Sequence, residues 1–276
     1  MKGTLPLSWI QEGRIASFPD LVMRIPRVIH DPLDQALRDV DEFFFCFAGG
    51  SRDLKKFMIK LFGYFCTPEA WIKKFWVYYG PKANNGKTTF MKICSSILGS
   101  FYTRIGVSTL TAGKMGKGNH STDIVDLKGK YLGCCNEFDS DGKKLDIELI
   151  KAITGRDGLV GRRAYSDKTT NFETNLKVVI LTNSLPEMKL DNGVLSRVCV
   201  IPCNGRFVEK PNPEDSQEYL ADPNFDNKIK TSEFRSACLA IICYGMQLLH
   251  EEGYDEPEEI KVYKIKRSDT YLLRHP

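Results

Sequence analysis

The stretch of sequence that decides the fold runs from Phe75 to Phe90 and reads FWVYYGPKANNGKTTF. Its first five residues are aromatic or β-branched, which predicts a buried strand. The strand leads into a Gly/Pro/Asn loop that ends in Gly86-Lys87-Thr88-Thr89. The residues from Lys87 to Leu98 predict a helix, and Gly99 is placed to end it. A strand, a glycine-containing loop and a helix in this order are typical of a phosphate-binding loop (Walker A).

The chemistry of this loop assigns a role to each part of it. Backbone N–H groups at the start of the helix would bind an anion, the Lys87 ammonium would reach the β- and γ-phosphates, and the Thr88 hydroxyl would contact Mg²⁺. The predicted nucleotide contacts are Gly80, Asn84, Asn85, Gly86, Lys87, Thr88 and Thr89.

The spacing of the loop is not the standard one. Gly80 lies one residue further upstream of Gly86 than the usual pattern has it, and Pro81 holds the position of the first glycine. The loop therefore contains one extra residue or an altered first turn. A Gly-Lys-Thr triplet also occurs by chance, so the interpretation needs support from elsewhere in the chain.

The overall composition is that of a folded protein. Of 276 residues, 42% are apolar and 27% are charged, which excludes a disordered chain. The 39 basic and 35 acidic residues leave a formal charge of +4. This excess is too small to indicate nucleic-acid binding unless the positive charge is concentrated locally.

The nine cysteines favour a reducing compartment. Their number is odd, their spacing forms no disulfide framework, and the N-terminus has no leader pattern, so we expect a cytoplasmic protein that is not secreted. Only Cys199 and Cys203 have a metal-like spacing. No histidine lies near them, so we interpret them as packing residues, with a metal site as the alternative. No apolar run approaches the roughly 18 residues of a membrane span, and no membrane contact is expected.

The pattern along the chain predicts an α/β fold. Residues 1–30 look irregular, residues 31–64 have helical periodicity, and residues 204–228 look like a polar surface linker. Buried strands are predicted at 75–79, 131–136, 177–183 and 197–202, and helices at 87–98, 145–154 and 230–251. Strands that alternate with helices indicate a mostly parallel sheet flanked by helices.

We divide the chain into three regions. Residues 1–68 form a predicted N-terminal helical or oligomerisation region, 69–209 the α/β core, and 210–276 a linker followed by a C-terminal helical segment.

Three polar residues stand at the ends of predicted strands in an order that suits nucleotide hydrolysis. Glu137 could hold Mg²⁺ through water or orient the attacking water, and Asn183 could position that water against the γ-phosphate. Arg197 could reach across a subunit boundary and neutralise transition-state charge. Taken singly, these residues could equally be a strand-end carboxylate, a turn asparagine and a surface ion-pair partner. Their joint occurrence favours the functional reading.

The stretch from Tyr79 to Cys203 resembles the helicase domain of superfamily 3, most closely the poxvirus-type primase–helicases and the related phage and plasmid primase–helicases. The motifs that carry the resemblance are NNGKTTF (84–90), CCNEFDSDGKKLDIELIKAITGRDGLVGRRAY (134–165), LTNSLPEM (181–188) and DNGVLSRVCVIP (191–202). Within the motif at 134–165, the matching positions are Glu137, Lys151, Thr154-Gly155, Asp157, Arg162 and Tyr165.

The resemblance implies an AAA+ P-loop ATPase core that works as a ring, a homo-hexamer with ATP and Mg²⁺ bound between subunits. By this resemblance, Lys87 and Thr88 contact phosphate and Mg²⁺, and Glu137 is the catalytic acid near the metal. Asn183 is then the γ-phosphate sensor, and Arg197 is the finger offered to a neighbour's nucleotide. Ser196 departs from the pattern, because many relatives have a first arginine there.

The resemblance also implies a hairpin that projects into a central pore and contacts single-stranded DNA. The sequence GRRAYSDKTTNFETNLK (161–177) reads as a strand, a tip near residues 166–169 and a returning strand. Lys168 is the candidate phosphate contact, with Tyr165 and Lys177 ranked lower. The alternative is that Lys168 is a solvated turn lysine. A glycine-rich basic loop at 111–120 is a weaker candidate.

We therefore expect an ATP-dependent DNA helicase that replicates a viral or mobile-element genome. One alternative is a nucleic-acid motor or remodelling ATPase, for instance for packaging, that does not separate strands. Another is a nucleotide-gated assembly subunit without turnover. Relatives usually carry a primase-like region upstream, so we expect a fragment or minimal element, with a primase domain or a replicative polymerase as further partners.

Overall fold

The computed structural model describes residues 32–111, 122–136, 138, 144–163, 168–185 and 192–262. The strands are β1 (Phe75–Tyr79), β2 (Tyr102–Arg104), β3 (Leu132–Cys135), β4 (Leu159–Arg162), β5 (Thr169–Phe172), β6 (Lys177–Thr182), β7 (Val198–Pro202), β8 (Arg206–Val208) and β9 (Glu218–Leu220).

The described helices precede, separate and follow these strands. They are α1 (Pro32–Phe47), α2 (Arg52–Phe65), α3 (Lys87–Leu98), α4 (Thr122–Val125), α5 (Ile147–Gly155), α6 (Asn192–Leu195), α7 (Phe225–Lys228), α8 (Ser232–Glu252) and α9 (Glu258–Lys261). A single 3₁₀ turn, Gly99–Phe101, joins α3 to β2.

The centre of the fold is a five-stranded parallel sheet in the order β2-β3-β6-β1-β7. Every residue of β1, β3, β6 and β7 is buried, as expected for parallel strands covered on both faces. The predicted α/β architecture is confirmed. The edge strand β2 was not predicted, because its three residues are too few to show a pattern.

Each strand divides its side chains between two hydrophobic clusters. On one face, Trp76 and Tyr78 pack with α1, α2, α3 and α8. On the other face, Phe75, Val77 and Tyr79 pack with α4, α5 and the β4–β5 hairpin. The result is a layer of helices on each side of the sheet, because alternate residues of a strand point to opposite faces. The domain boundaries at 68/69 and 209/210 stay predictions.

Two stretches differ in detail from their predictions. The helical region at 31–64 is two helices, and Ser51 starts the second by accepting a hydrogen bond at Oγ from the Leu54 N–H (3.2 Å). The stretch at 204–228, predicted as a linker, contains the parallel pair β8–β9 and the short helix α7. Strands of three residues in a polar context carry no usable periodicity.

The two cysteines with the metal-like spacing, Cys199 and Cys203, pack inside the core. Cys199 lies in β7 and Cys203 just after it, both fully buried in the hydrophobic core. All nine cysteines are free, and the described residues contain no group of side chains that could hold a metal ion. None of the helices in the described ranges is both long enough and apolar enough to span a membrane.

The prediction that Lys177 is a lower-ranked DNA contact is corrected, because this residue lies inside the protein. Its side chain is only 2% exposed. The ammonium donates to the Thr67 carbonyl and lies 5.1 Å from the ring centroid of Tyr64 and 5.5 Å from that of Tyr131. Burial lowers the pKa of Lys177 to about 7, although Cys66 and Glu69 oppose the shift. A DNA phosphate has no access to it.

Helices α2 and α8 cross in close contact at two glycines. A Cβ atom on Gly63 would lie 2.7 Å from the Met246 nitrogen, and one on Gly245 would lie 2.2 Å from the Ile59 oxygen. Both neighbours are backbone atoms, so a side chain at either position must push the helices apart. The crossing therefore sets how closely the C-terminal helix covers the N-terminal pair.

We predict that Gly245→Ala destabilises the protein. Alanine favours helix over glycine by about 1 kcal/mol, but the forced separation of α2 and α8 costs about 1–3 kcal/mol. Thermal unfolding followed by circular dichroism is expected to show a lower Tm. Gly106→Ala is the matched control, since its nearest contact would be an ordinary 3.5 Å. A Gly245→Ala variant as stable as the control would contradict the close crossing.

We predict that Lys177 makes stability depend on pH. Between pH 7 and 9 the unfolded chain keeps the Lys177 proton and the native chain loses it, so the unfolded state binds more protons. The free energy of unfolding therefore rises with pH, by at most about 1.4 kcal/mol per pH unit. Urea unfolding at pH 7, 8 and 9 measures this slope. Lys177→Met is expected to flatten it, whereas Lys56→Met, at an exposed site, keeps it. Equal slopes in all three proteins would refute the assignment.

Candidate functional site: a phosphate-binding loop at the carboxyl edge of the sheet

The loop from Gly80 to Gly86 leaves β1 at the carboxyl edge of the sheet, between β6 and β7. Asn85 is buried, and its Nδ2 donates to the Cys203 carbonyl at 3.0 Å. The Phe207 N–H donates to the Asn84 carbonyl at 2.9 Å. The loop is therefore fastened to the segment that follows β7.

The backbone of the loop explains how its unusual spacing is accommodated. Asn84 and Gly86 adopt left-handed conformations, with φ of 61° and 82°. Gly80 makes a close approach, because a Cβ there would lie 2.8 Å from Asn85 Cγ and 3.0 Å from Lys87 Nζ. The longer loop thus closes with two left-handed residues, and the Gly86-Lys87 step still opens the helix.

The Lys87 ammonium lies where the loop and the neighbouring strand end meet. It donates to the Gly80 carbonyl (3.1 Å), to Asn85 Oδ1 (3.1 Å) and to Asn183 Oδ1 (2.9 Å). Burial lowers the pKa of Lys87 from its usual value. The structure therefore brings together Lys87 and Asn183, two of the predicted catalytic residues, without any ion-pair partner for the lysine among the described residues.

The N-terminus of α3 is not capped by a side chain. Helices α2, α5 and α8 begin with Ser51, Asp146 and Thr231, whose oxygens accept from a backbone N–H of the first turn. At α3 the N-cap is Gly86, which has no side chain to do so. Thr88 is exposed in this first turn. Uncapped N–H groups, the helix dipole and Lys87 together form a site for an anion.

Glu137, the predicted catalytic acid, lies outside the described residues. Its neighbours are placed at the same edge of the sheet. Asn136 follows β3, and the Phe138 N–H donates to the Leu181 carbonyl of β6 at 3.4 Å. The Thr182 hydroxyl donates to the Phe138 carbonyl at 3.1 Å. Phe138 is therefore held next to the end of β6 that leads to Asn183.

Arg197 lies at the other edge of the sheet. It precedes β7, and its carbonyl accepts from the Phe75 N–H at the start of β1 (2.9 Å). Five residues of strand, roughly 16 Å, separate this edge from the loop. The guanidinium donates through Nη1 to the Gly193 carbonyl at 2.7 Å, and its buried Nε has no partner among the described residues. Arg197 therefore lies away from the loop between Gly80 and Gly86.

A cavity of about 830 Å³ opens beside the loop, within the size range of ligand pockets. Asn84, Gly86 and Thr89 line one side, and the aromatic rings of Phe43 and Phe207 line another. Phe207 was missed by the sequence analysis, because it lies in a polar stretch without a motif. Five carboxylates also line the cavity: Asp39, Glu42, Glu209, Asp222 and Asp226.

Both strands of the predicted hairpin are present. β4 and β5 pair antiparallel, with Arg162 opposite Thr169. Lys168 is exposed at the start of the returning strand. Tyr165 and residues 166–167 of the tip lie outside the described residues, as do residues 112–120 of the glycine-rich loop.

Comparison with known proteins gives matches across the candidate site. A family described as "Family of unknown function (DUF5906)" matches residues 78–197, from β1 to Arg197. The 022R protein of Frog virus 3 (isolate Goorha) is 27% identical over 192 residues, which are 67% of this chain and 19% of that protein. That protein carries a provisional helicase name. "Primase D5" of Fowlpox virus (strain NVSL) is 28% identical over 208 residues, or 71% of this chain and 26% of that protein.

A similar fold occurs among solved structures. The apo structure of the NrS-1 C-terminal region (305-718) has a TM-score of 0.54 and 14% sequence identity, and the match covers 85% of this chain and 54% of that one. This likeness concerns the fold alone. The chain spans about a fifth to a quarter of the length of the two viral relatives. Its motifs and these matches confirm its resemblance to the primase–helicase family of superfamily 3.

Proposed function

We propose that this chain is the ATPase region of a DNA helicase that acts in the replication of a viral or mobile-element genome. The observation that carries the proposal is the position of the Lys87 ammonium, which shares the uncapped end of α3 with Asn183. A desolvated cation beside open backbone N–H groups suits a polyphosphate better than any neutral ligand.

In this proposal the loop and α3 hold the triphosphate of ATP. Lys87 exchanges its contacts with Gly80, Asn85 and Asn183 for phosphate oxygens, and the Thr88 hydroxyl and Glu137 would hold Mg²⁺. Bound Mg²⁺ neutralises negative charge on the phosphates. Glu137 and Asn183 orient the attacking water. The cavity beside Gly86 offers room for the base and ribose, with Phe207 as an aromatic wall.

Arg197 then serves a second subunit. At the amino edge of the sheet it is too far from its own loop, so the nucleotide it neutralises belongs to a neighbour. This requirement supports a closed ring, with a homo-hexamer as the proposed form. Arg197 must release the Gly193 carbonyl to make the contact, since its Nη1 is engaged there.

The β4–β5 hairpin is the proposed DNA element, with Lys168 and Tyr165 as contacts to a single strand in the ring's pore. Backbone contacts of this kind bind without reading sequence. A relative named as a primase supports a primase region as a further partner. A replicative polymerase is the other proposed partner. An intracellular site of viral replication is the proposed location.

We predict that Lys87→Ala abolishes ATP hydrolysis. Loss of the ammonium removes charge stabilisation at the phosphates, and we expect kcat to fall by at least about a hundredfold. A phosphate-release assay with and without single-stranded DNA measures it. Lys73→Ala removes an exposed lysine before β1 and serves as the control. DNA-stimulated turnover that persists in Lys87→Ala would sink the assignment. Strand displacement on a forked substrate separates a helicase from a packaging or remodelling motor.

We predict that Arg197→Ala binds ATP normally but does not turn it over. An arginine finger contributes about 10³-fold or more to kcat. In mixtures with Lys87→Ala, turnover is expected to return, because Arg197 of a Lys87→Ala subunit completes the site of an Arg197→Ala neighbour. Arg52→Ala, at an exposed position on α2, is the control and is expected to keep turnover by itself. Two variants that stay inactive when mixed would rule out a site shared between subunits.

A further inference from the structure

A second cleft, of about 620 Å³, shares no lining residue with the cavity beside the phosphate loop. Its walls come from three separate parts of the chain: the edge strand β2, the segment between α4 and β3, and the β4–β5 hairpin. The residues that matter for its chemistry are the cations Lys128, Lys130 and Arg163, the carboxylate Asp126, and the hydroxyls of Thr103 and Thr170.

Positive charge dominates this cleft. Arg163 Nη2 lies 2.8 Å from Asp126 Oδ1, and both side chains are more than half exposed. Lys130 donates to the Ser100 carbonyl at 2.6 Å, which satisfies one of its N–H groups but does not neutralise its charge. The exposed Lys128 has no ion-pair partner among the described residues. Three cations thus face one carboxylate.

Folding does not require this concentration of charge. The one ion pair is exposed, and such pairs contribute about 0–1 kcal/mol to stability. Like charges gathered around one cleft repel each other in the absence of a ligand. The combination of cations with hydroxyl groups is instead the usual set of donors for phosphodiester oxygens.

The position of the cleft links it to the hairpin. Arg162 lies opposite Thr169, so the next residues outward, Arg163 and Lys168, flank the tip from the two strands. Thr170 belongs to the same hairpin, two residues further from the tip than Lys168. A strand that contacts Lys168 can therefore continue along the hairpin toward Lys128 and Lys130.

We propose that this cleft binds the sugar–phosphate backbone of a single-stranded nucleic acid through Lys128, Lys130 and Arg163. The inference rests on the proposed nucleic-acid function and extends the contact from the tip of the hairpin to its base. Binding is independent of sequence, because lysine and arginine in this arrangement meet phosphates and no base-reading group lines the described part of the cleft.

The test is single-strand binding by the triple variant Lys128→Gln/Lys130→Gln/Arg163→Gln. Fluorescence anisotropy with a labelled oligothymidylate, repeated over a series of salt concentrations, gives the affinity and its salt dependence. For each phosphate of a single strand that the protein no longer neutralises, the slope of log K against log salt falls by about 0.7. We expect the slope to become shallower by about 2 and the affinity at low salt to fall at least about tenfold.

The control is Lys210→Gln/Lys230→Gln/Arg235→Gln, which removes the same charges from exposed positions on other surfaces. It is expected to keep the wild-type slope. A wild-type slope in the cleft variant would overturn the proposal that the cleft binds nucleic acid, and would leave the proposed function intact. Failure of the wild-type protein to bind the oligonucleotide would overturn both. If the cleft variant instead loses self-association in sedimentation velocity and binds DNA normally, the cleft is an interface between copies and the proposal is wrong.

Discussion

The burial of both faces of the parallel sheet is the constraint on which the rest of this structure depends. The central strands are apolar along most of their length, because both of their faces are covered. One face packs against α1, α2, α3 and α8, and the other against α4, α5 and the β4–β5 hairpin. Polar groups with a chemical role must therefore lie where strands end. Asn183 and the loop around Lys87 lie at one edge, and Arg197 lies at the other.

The same burial explains the arrangement around Lys87. An ammonium group removed from water needs acceptors, and three oxygens from β1's loop and the end of β6 supply them. None of these acceptors carries a full negative charge. The site thus keeps its cation available to an anionic ligand, whereas a carboxylate partner would compete with that ligand. Lys177 shows the opposite solution, since its ammonium lies between aromatic rings and is closed to any ligand.

The sequence predicted the elements with strong periodicity and missed those without it. The limits of α3 and β1 were predicted correctly, since FWVYY and the Gly86 and Gly99 boundaries are strong local signals. β2, β8 and β9 have three residues each, and their pairing depends on tertiary contacts. Within the site, Lys87 and Asn183 followed from motif order. The burial of Lys177 did not, because a lysine at the start of an apolar strand gives no sign of which rings will enclose it.

Strand β7 has one further consequence. The residue after its far end holds the loop around Lys87, through the hydrogen bond from Asn85 to the Cys203 carbonyl, and Arg197 directly precedes its near end. The strand is paired with β1 along its whole length, so it neither stretches nor bends easily. β7 is a rigid connection between the loop and the arginine at the opposite edge of the sheet. The two groups are therefore fixed relative to each other, and a movement of the whole sheet displaces both together.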